Sequence, residues 1–109
     1  MTGKNGNAEV QAFYRDVNER IAAISRDLGS GRLEILCECG AAGCTERVRI
    51  DEADYERVRG EATHFALLEG HQDTSVEDIV RTGDGYLVVA NYGAAATVAR
   101  RTNPRVGSR

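Results

Sequence analysis

All three cysteines of this chain lie within eight consecutive residues, from Cys37 to Cys44, in the segment CECGAAGC. One residue separates the first two cysteines, four residues separate the second from the third, and Gly40 and Gly43 lie between the last two. The glycines allow the backbone angles that a tight loop needs. Three thiolates on such a loop can bind a metal ion, and tetrahedral Zn²⁺ takes four cysteine or histidine ligands. The segment therefore predicts a zinc site whose fourth ligand comes from elsewhere.

The chain has two histidines that could complete the site, His64 and His71. His64 begins a predicted strand, HFALL, where a histidine commonly packs or faces solvent. His71 follows Gly70 in the turn after this strand, and a turn can present an imidazole to a neighbouring loop. We therefore favour His71, and the predicted zinc ligands are Cys37, Cys39, Cys44 and His71. An acid such as Glu38 or Asp73, or a water molecule, is the alternative fourth ligand.

Other roles for the thiols are also considered. The single residue between Cys37 and Cys39 is shorter than the usual spacing of zinc knuckles. An iron–sulfur cluster usually needs four thiolates, and the chain has three cysteines. Redox-active or catalytic thiols and simple packing of buried cysteines are the remaining alternatives. A disulfide framework is not expected, because an odd number of cysteines cannot pair completely.

The composition is that of a soluble globular protein. The chain has 109 residues, of which 41% are hydrophobic and 28% are charged, and this length suits one domain. No stretch approaches the roughly 18 apolar residues of a membrane helix, and the first residues, MTGKNGNAE, lack the features of a secretory signal. We therefore predict a cytoplasmic protein with no membrane partner, in a compartment that keeps thiols reduced.

The charge is unevenly distributed along the chain. The net charge is −3, and the last eleven residues, Ala99 to Arg109, carry four arginines and no acid, which leaves −7 for the rest. This end could contact phosphate or an acidic partner, but the favoured interpretation is a solvated tail. The predicted boundaries are a disordered N-terminus at 1–7, a single α+β zinc-binding domain at 8–102, and a basic flexible tail at 103–109.

Apolar residues recur at steps of three and four from Ala8 to Leu28, which predicts an amphipathic helix. The predicted apolar stripe consists of Val10, Phe13, Tyr14, Val17, Ile21, Ile24 and Leu28. We expect this stripe to pack on a sheet and the opposite face to be solvated. The charged residues of that opposite face are Arg15, Asp16, Glu19, Arg20 and Arg26. A helix of about twenty residues could also project into a partner or form a homodimer.

The rest of the chain predicts short strands and two further helices. The predicted elements are strands at Arg32–Leu36 and Glu46–Ile50, a helix capped by Asp51 with Asp54 and ended by Gly60, a strand at His64–Leu68, a hairpin of Val76–Thr82 and Tyr86–Asn91 around Gly83-Asp84-Gly85, and a helix at Ala94–Arg101. This order predicts an α+β fold. The long N-terminal helix packs on a small, mainly antiparallel sheet, with a zinc knuckle between two strands.

The chain resembles a set of small proteins from actinobacterial-type genomes that share a CECG-x3-C knuckle and a downstream Gly-His. The segments that carry the resemblance are Phe13–Ile21, Cys37–Val48, Tyr55–Arg59, Gly70-His71 and Gly85–Val89. The resemblance implies that His71 belongs with the cysteines. It implies no activity.

Few residues that could catalyse a reaction remain once zinc binds the three cysteines and His71. His64 is then the remaining residue that titrates near neutral pH, and no P-loop, dinucleotide-binding pattern or zincin motif is present. We therefore predict a small cytoplasmic zinc-stabilised interaction or regulatory module with a structural site, whose partner is a protein. One alternative is a zinc- or thiol-dependent enzyme, in which Glu38 could act as a base.

A second alternative is a nucleic-acid-associated zinc protein. The candidate contacts are Arg47, Arg49, Arg57 and Arg59. These arginines are interleaved with acidic residues that cancel most of their field, and the acidic body of the chain does not favour nucleic acid.

Overall fold

The structure is a computed structural model that describes residues 4–29 and 31–105. In chain order the elements are α1 (Lys4–Leu28), β1 (Arg32–Leu36), β2 (Arg47–Asp51), α2 (Glu52–Arg59), β3 (His64–Leu68), β4 (Glu77–Thr82), β5 (Tyr86–Asn91) and α3 (Gly93–Arg101). The predicted α+β fold class is therefore confirmed.

The strands form two small antiparallel sheets. Strands β1 and β2 pair with Leu36 opposite Arg47, so the cysteine loop joins the ends of this pair. The second sheet has the order β3-β5-β4, with Phe65 opposite Val89. The turn between β4 and β5 closes where the Gly83 N–H donates to the Tyr86 carbonyl at 2.8 Å. The cysteine loop lies where the two sheets meet, because it continues the β1–β2 pair and also bonds to Ala66 of β3.

From β1 onward the element boundaries agree with the predicted ones to within one residue, but the predicted cap of α2 lacks its hydrogen bond. The predicted ends of β1, β3 and β5 are confirmed. Asp51 was expected to cap α2 with Asp54, but its side chain makes no cap hydrogen bond. Asp51 does occupy the N-cap position of α2 and is also the last residue of β2, where its carboxylate lies 3.1 Å from Arg32 Nε on the paired strand. The Asp51 carboxylate therefore forms a salt bridge with Arg32 across the strand pair and does not accept a hydrogen bond from the first turn of α2.

Helix α1 packs through a different face from the one its apolar stripe predicts. Phe13, Ile24 and Leu28 belong to the stripe, yet 63%, 62% and 78% of their surfaces are exposed. The buried face of α1 consists of Ala8, Gln11, Ala12, Arg15, Asn18 and Ala22. The prediction that the stripe packs on the sheet is therefore wrong for these three residues.

The buried polar residues of α1 explain this orientation. The Asn18 amide donates to the Leu36 carbonyl and accepts from the Leu36 N–H, both at 2.9 Å. Arg15 was expected to be solvated but is 1% exposed, and its guanidinium donates to the Ala62 carbonyl at 2.8 Å and the Ala99 carbonyl at 3.0 Å. Backbone groups left unpaired in a core cost free energy, and these side chains satisfy them. The alanines between these polar residues have small side chains, so the helix can approach the neighbouring elements closely.

The main core lies between the two sheets and the helices. Its fully buried large residues include Ile35 of β1, Phe65 and Leu67 of β3, and Val88 and Val89 of β5. Tyr55 and Val58 of α2 face this core. The core therefore joins the strands on both sides of the cysteine loop.

The structure describes part of each terminal segment, residues 4–7 and 103–105. Helix α1 begins at Lys4, before its predicted start at Ala8, and residues 1–3 lie outside the described residues. Arg105, in the predicted basic tail, donates to Glu19 at 2.9 Å and to Glu56 at 2.8 Å. Residues 106–109 lie outside the described residues. Within the described part of the chain, no helix has the length and apolar character to cross a membrane.

Candidate metal centre

The cysteine loop is tied to both sheets by backbone hydrogen bonds. The Cys37 N–H donates to the Glu46 carbonyl at 2.9 Å, which extends the β1–β2 ladder. The Glu38 N–H donates to the Ala66 carbonyl of β3 at 2.9 Å. These two bonds turn successive peptide groups toward different sheets. The loop is therefore held where the sheets meet.

The two loop glycines serve different purposes. Gly43 has a φ of +87°, a conformation that side chains with a Cβ rarely adopt. Gly40 has no positive φ, but a Cβ at this position would lie 2.8 Å from Asn7 Cβ on α1. One glycine therefore forms the turn, and the other allows the loop to approach the helix.

The structure brings the three cysteine sulfur atoms and the imidazole of His71 into one group. One ligand atom from each residue lies within 4.8 Å of the others. His71 Nδ1 lies 3.5 Å from Cys37 Sγ and 3.8 Å from Cys44 Sγ. In a tetrahedral zinc site a sulfur and a nitrogen ligand are separated by about 3.6 Å, given metal–ligand distances of about 2.3 and 2.0–2.1 Å. The four side chains have the spacing of a metal site.

His71 reaches the loop because β3 ends beside it. The Leu68 N–H, at the end of β3, donates to Cys37 Sγ at 3.3 Å. The following turn contains Gly70 with a φ of +93°, and the His71 N–H donates to the Leu68 carbonyl at 3.0 Å. His64 lies at the other end of β3, about 14 Å away along a strand of this length. The strand thus separates the two histidines, and His71 is the one beside the cysteines.

The acids considered as fourth ligands are engaged elsewhere. The Glu38 carboxylate is fully buried and accepts two hydrogen bonds from Arg59, both at 2.7 Å. It also accepts from the Asn18 amide at 2.7 Å and from the Ala66 N–H at 3.0 Å. Asp73 Oδ1 accepts from the Ser75 hydroxyl at 2.6 Å. Neither acid belongs to the group formed by the cysteines and His71.

Hydrogen bonds around the sulfurs favour one thiolate before any metal binds. A hydrogen bond from Cys37, aided by the Ala41 N–H, lowers the pKa of Cys39 to about 4, although burial opposes this shift. The same interaction with Cys39, together with burial, raises the pKa of Cys37. Burial also raises the pKa of Cys44, while the Glu46 N–H acts in the opposite direction. Backbone N–H groups directed at sulfur are the surroundings that thiolate ligands of a metal require.

The buried ion pair between Glu38 and Arg59 was missed by the sequence analysis. Glu38 was considered as a ligand or base, and Arg59 as a nucleic-acid contact. The guanidinium of Arg59 also lies 5.1 Å from the ring centre of Tyr55, and it is almost entirely buried. Burial opposes the charge, but the Glu38 carboxylate raises the pKa of Arg59 above its ordinary value. The position of Glu38 between two cysteines was the available sign that it would be buried.

Comparisons with known proteins give no assignment for this chain. No known family, curated protein or solved structure matches it.

Proposed function

We propose that Cys37, Cys39, Cys44 and His71 bind one Zn²⁺ ion in a structural site. The observation that carries this proposal is the convergence of four soft or borderline ligand atoms within 4.8 Å. Three thiolates and one imidazole form a usual structural zinc set. An iron–sulfur cluster has less support, because it usually takes four thiolates. Zinc would supply a positive charge that neutralises the thiolates and a fixed point that joins the loop to the turn after β3.

A structural role is favoured over catalysis because four protein ligands can complete the site and, among the described residues, the nearby carboxylates of Glu38 and Glu77 are engaged in hydrogen bonds. Four ligands leave no open position for water or substrate. Glu38 is held by Arg59 and Asn18, so its oxygens are occupied. A cleft of about 190 Å³ borders His71, and Glu77 lines it. Glu77 accepts from Gln11 at 3.2 Å and from the Asp73 N–H at 2.8 Å, so this carboxylate is also engaged.

We further propose that the protein is a small cytoplasmic interaction or regulatory module. The binding free energy of a structural zinc ion contributes to folding, which helps a chain with a modest core. Three free cysteines suit a compartment that keeps thiols reduced. The partner is proposed to be a protein, because large apolar side chains on α1 are exposed.

The nucleic-acid alternative loses support from the positions of its arginines. Arg59 is buried against Glu38, with side-chain atoms 2.7 Å apart. Arg57 lies 3.2 Å from Asp54, and Arg49 lies 3.9 Å from a glutamate of β1. A basic surface for nucleic acid needs arginines whose charge is free to meet phosphate. Here one candidate is inaccessible and two lie beside acids.

The decisive experiment measures the metal content of protein purified without chelator. We expect one zinc ion per chain by elemental analysis. His71→Ala is expected to lower zinc retention and the melting temperature, because it removes the one ligand outside the loop. His64→Ala is the matched control and is expected to retain zinc, since His64 lies at the other end of β3. Reduced, folded wild-type protein without metal would refute the proposal. Equal loss of zinc from both histidine variants would refute the choice of His71.

Replacement of zinc by Co²⁺ tests the ligand set directly. A tetrahedral site with three thiolates gives visible d–d bands and sulfur-to-cobalt charge-transfer bands. We expect Cys44→Ser to weaken the charge-transfer bands. A spectrum typical of six oxygen and nitrogen ligands would contradict the proposed centre.

A further inference from the structure

A polar cleft of about 470 Å³ lies between the β4–β5 turn, the end of β2 and helix α2. It shares no residue with the group of three cysteines and His71. Four arginines, three aspartates and Tyr86 are among the residues that line it. Polar groups that converge on one cleft are typical of a site for a small molecule. What the cleft can bind depends on which of these groups lack a partner within the protein.

Most of the charges in this cleft are paired. Three of the four arginines lie beside a carboxylate. The pairs are Arg32 with Asp51 at 3.1 Å, Arg57 with Asp54 at 3.2 Å and Arg49 with Glu34 at 3.9 Å. Arg81 and Asp84 form no salt bridge within residues 4–29 and 31–105, either with each other or with another residue. The cleft therefore has one unpaired cation and one unpaired anion.

The hydroxyl of Tyr86 also lacks a partner. Tyr86 is 6% exposed, and a Cβ at Gly83 would overlap its ring, so the ring lies directly against the turn. The hydroxyl makes no hydrogen bond to the described part of the chain, although most buried polar groups in folded proteins are paired. Burial raises the pKa of Tyr86, and Asp54 acts in the same direction while Arg81 opposes it. These two charges line the cleft, so the hydroxyl is directed into it.

The guanidinium of Arg81 has a similar deficit. Its Nη2 atom is shielded from solvent and has no hydrogen-bond partner among the described residues. The N–H groups of a guanidinium form a planar fork that fits the two oxygens of a carboxylate. Because Arg81 lines the cleft, a small rotation of its guanidinium presents this fork to a bound carboxylate. Asp84, three residues further along the hairpin, is exposed and can accept hydrogen bonds from a cation.

We propose that the cleft binds a small zwitterion, a free amino acid or a short peptide, through Arg81, Tyr86 and Asp84. The ligand carboxylate accepts hydrogen bonds from the Arg81 guanidinium and the Tyr86 hydroxyl, and the ligand ammonium donates to the Asp84 carboxylate. A simple anion would leave Asp84 unpaired, and a simple cation would leave Arg81 unpaired. A ligand with both charges satisfies all three groups, and the volume of the cleft is within the range of small-molecule sites.

The first test is a ligand titration followed by amide NMR shifts on the full chain as purified. Glycine and triglycine are the zwitterionic probes, and acetate and methylammonium carry one charge each. We expect saturable shifts at the amides from Gly83 to Tyr86 with a zwitterion. Its dissociation constant should be at least about tenfold lower than that of either single-charge probe, because each of these omits one charged contact. Tighter binding of glycine would identify a free amino acid as the ligand, and tighter binding of triglycine would identify a peptide; either result supports the proposal.

Variants of the three residues test the contacts. Arg81→Gln removes the cation and is expected to raise the dissociation constant at least about tenfold. Tyr86→Phe, which keeps the ring, and Asp84→Asn should each raise it about fivefold. Arg100→Gln on α3 and Asp78→Asn on β4 are the matched controls, because both residues are exposed and lie outside the cleft, and they should leave it unchanged. The amide spectrum of each variant shows whether it is folded.

Two results would overturn the proposal. One is the absence of a saturable shift at the cleft amides with either zwitterion up to about 50 mM, which corresponds to a binding free energy too small for a specific site. The other is acetate that binds as tightly as the zwitterions, which would mean that the cleft takes a simple anion and that Asp84 has no part in binding. Neither result bears on zinc, because the cleft contains none of the four proposed metal ligands and the metal content is measured separately.

Discussion

At the residue scale, the buried pair of Glu38 and Arg59 lies directly beneath the cysteine loop. Glu38 separates Cys37 from Cys39 in the chain, so its carboxylate points into the core while the sulfurs point to the proposed metal. Four hydrogen bonds reach this carboxylate, from Arg59, Asn18 and the Ala66 N–H. Removing one member of a buried pair leaves an uncompensated charge, whereas replacing both members is far less costly. The pair therefore fixes the loop through its middle residue.

Glu38→Gln tests this role. It leaves the Arg59 charge buried without a carboxylate, and we expect the free energy of unfolding to fall by about 3–5 kcal/mol. Urea unfolding with zinc present measures the change. Glu34→Gln is the control, because Glu34 is exposed and lies 3.9 Å from Arg49, and it should cost less than about 0.5 kcal/mol. The double variant Glu38→Gln with Arg59→Met keeps an oxygen acceptor for the Ala66 N–H and should be more stable than Glu38→Gln alone. If it is less stable, the uncompensated charge is not the reason for the loss.

The sequence predicted the candidate metal group better than the polar residues beneath it. Cysteine spacing and a glycine before His71 are local signals, and the structure brings those four side chains together. That they bind zinc stays a prediction. Arg59 carried no local signal, because its partner lies 21 residues away in the chain. A buried ion pair depends on tertiary distances that periodicity does not encode.

At the element scale, short strands were predictable and the orientation of the long helix was not. The ends of β1, β3 and β5 could be predicted from glycine-containing turns and alternating residues, because these signals act over a few residues. Helix α1 has two faces that could be buried, and apolar periodicity selects the one with Phe13 and Ile24. Asn18 and Arg15 select the other face, because they satisfy carbonyl groups of β1, α3 and the α2–β3 connection. Only tertiary structure shows which partners those side chains meet.

Arg105 links the C-terminal segment to two helices, and its removal should have a pH-dependent effect. Although burial opposes it, hydrogen bonds from Arg105 and Tyr55 lower the pKa of Glu19 below the ordinary value of 4.5. A lowered folded-state pKa adds stability above the ordinary value, and this stability is lost as the pH falls through the folded-state value. Arg105→Ala should therefore reduce the free energy of unfolding by about 1 kcal/mol at pH 7, a modest amount because these groups are partly exposed.

The difference between wild type and Arg105→Ala should shrink as the pH falls below 4.5 and through the lowered folded-state pKa of Glu19. Thermal or urea unfolding at pH 7 and at the lowest pH at which the protein stays folded measures it. Arg101→Ala is the matched control: its guanidinium lies 3.6 Å from Glu9, both side chains are largely exposed, and the cost should be near zero. A loss for Arg105→Ala that is equal at both pH values would show that the contact with Glu19 does not act through its charge.

At the scale of the whole molecule, the group of three cysteines and His71 lies between the two sheets, and a zinc ion bound there would contact parts of both. Cys37 continues from β1, and His71 follows β3, so the ion would cross-link two parts of the chain that are distant in sequence. The apolar core also spans both sheets, and it includes Cys37 and Cys39 at the junction together with many residues away from the proposed metal. Zinc removal should therefore loosen the junction before it destroys the core.

Zinc removal by a chelator is expected to lower the free energy of unfolding by about 4 kcal/mol, relative to a sample with free zinc at about a thousand times its dissociation constant. Hydrogen exchange measured on reduced protein locates the effect. The Cys37 N–H donates to the Glu46 carbonyl of the cysteine loop, and the Leu68 N–H donates to Cys37 Sγ. Both amides should exchange faster without metal, because both acceptors belong to the loop that the metal would hold. The amide of Val88, in the central strand β5, should keep its protection, because the core around it is apolar. Uniform loss of protection would mean that the metal supports the entire fold, and no change at any amide would mean that the ion does not join the sheets.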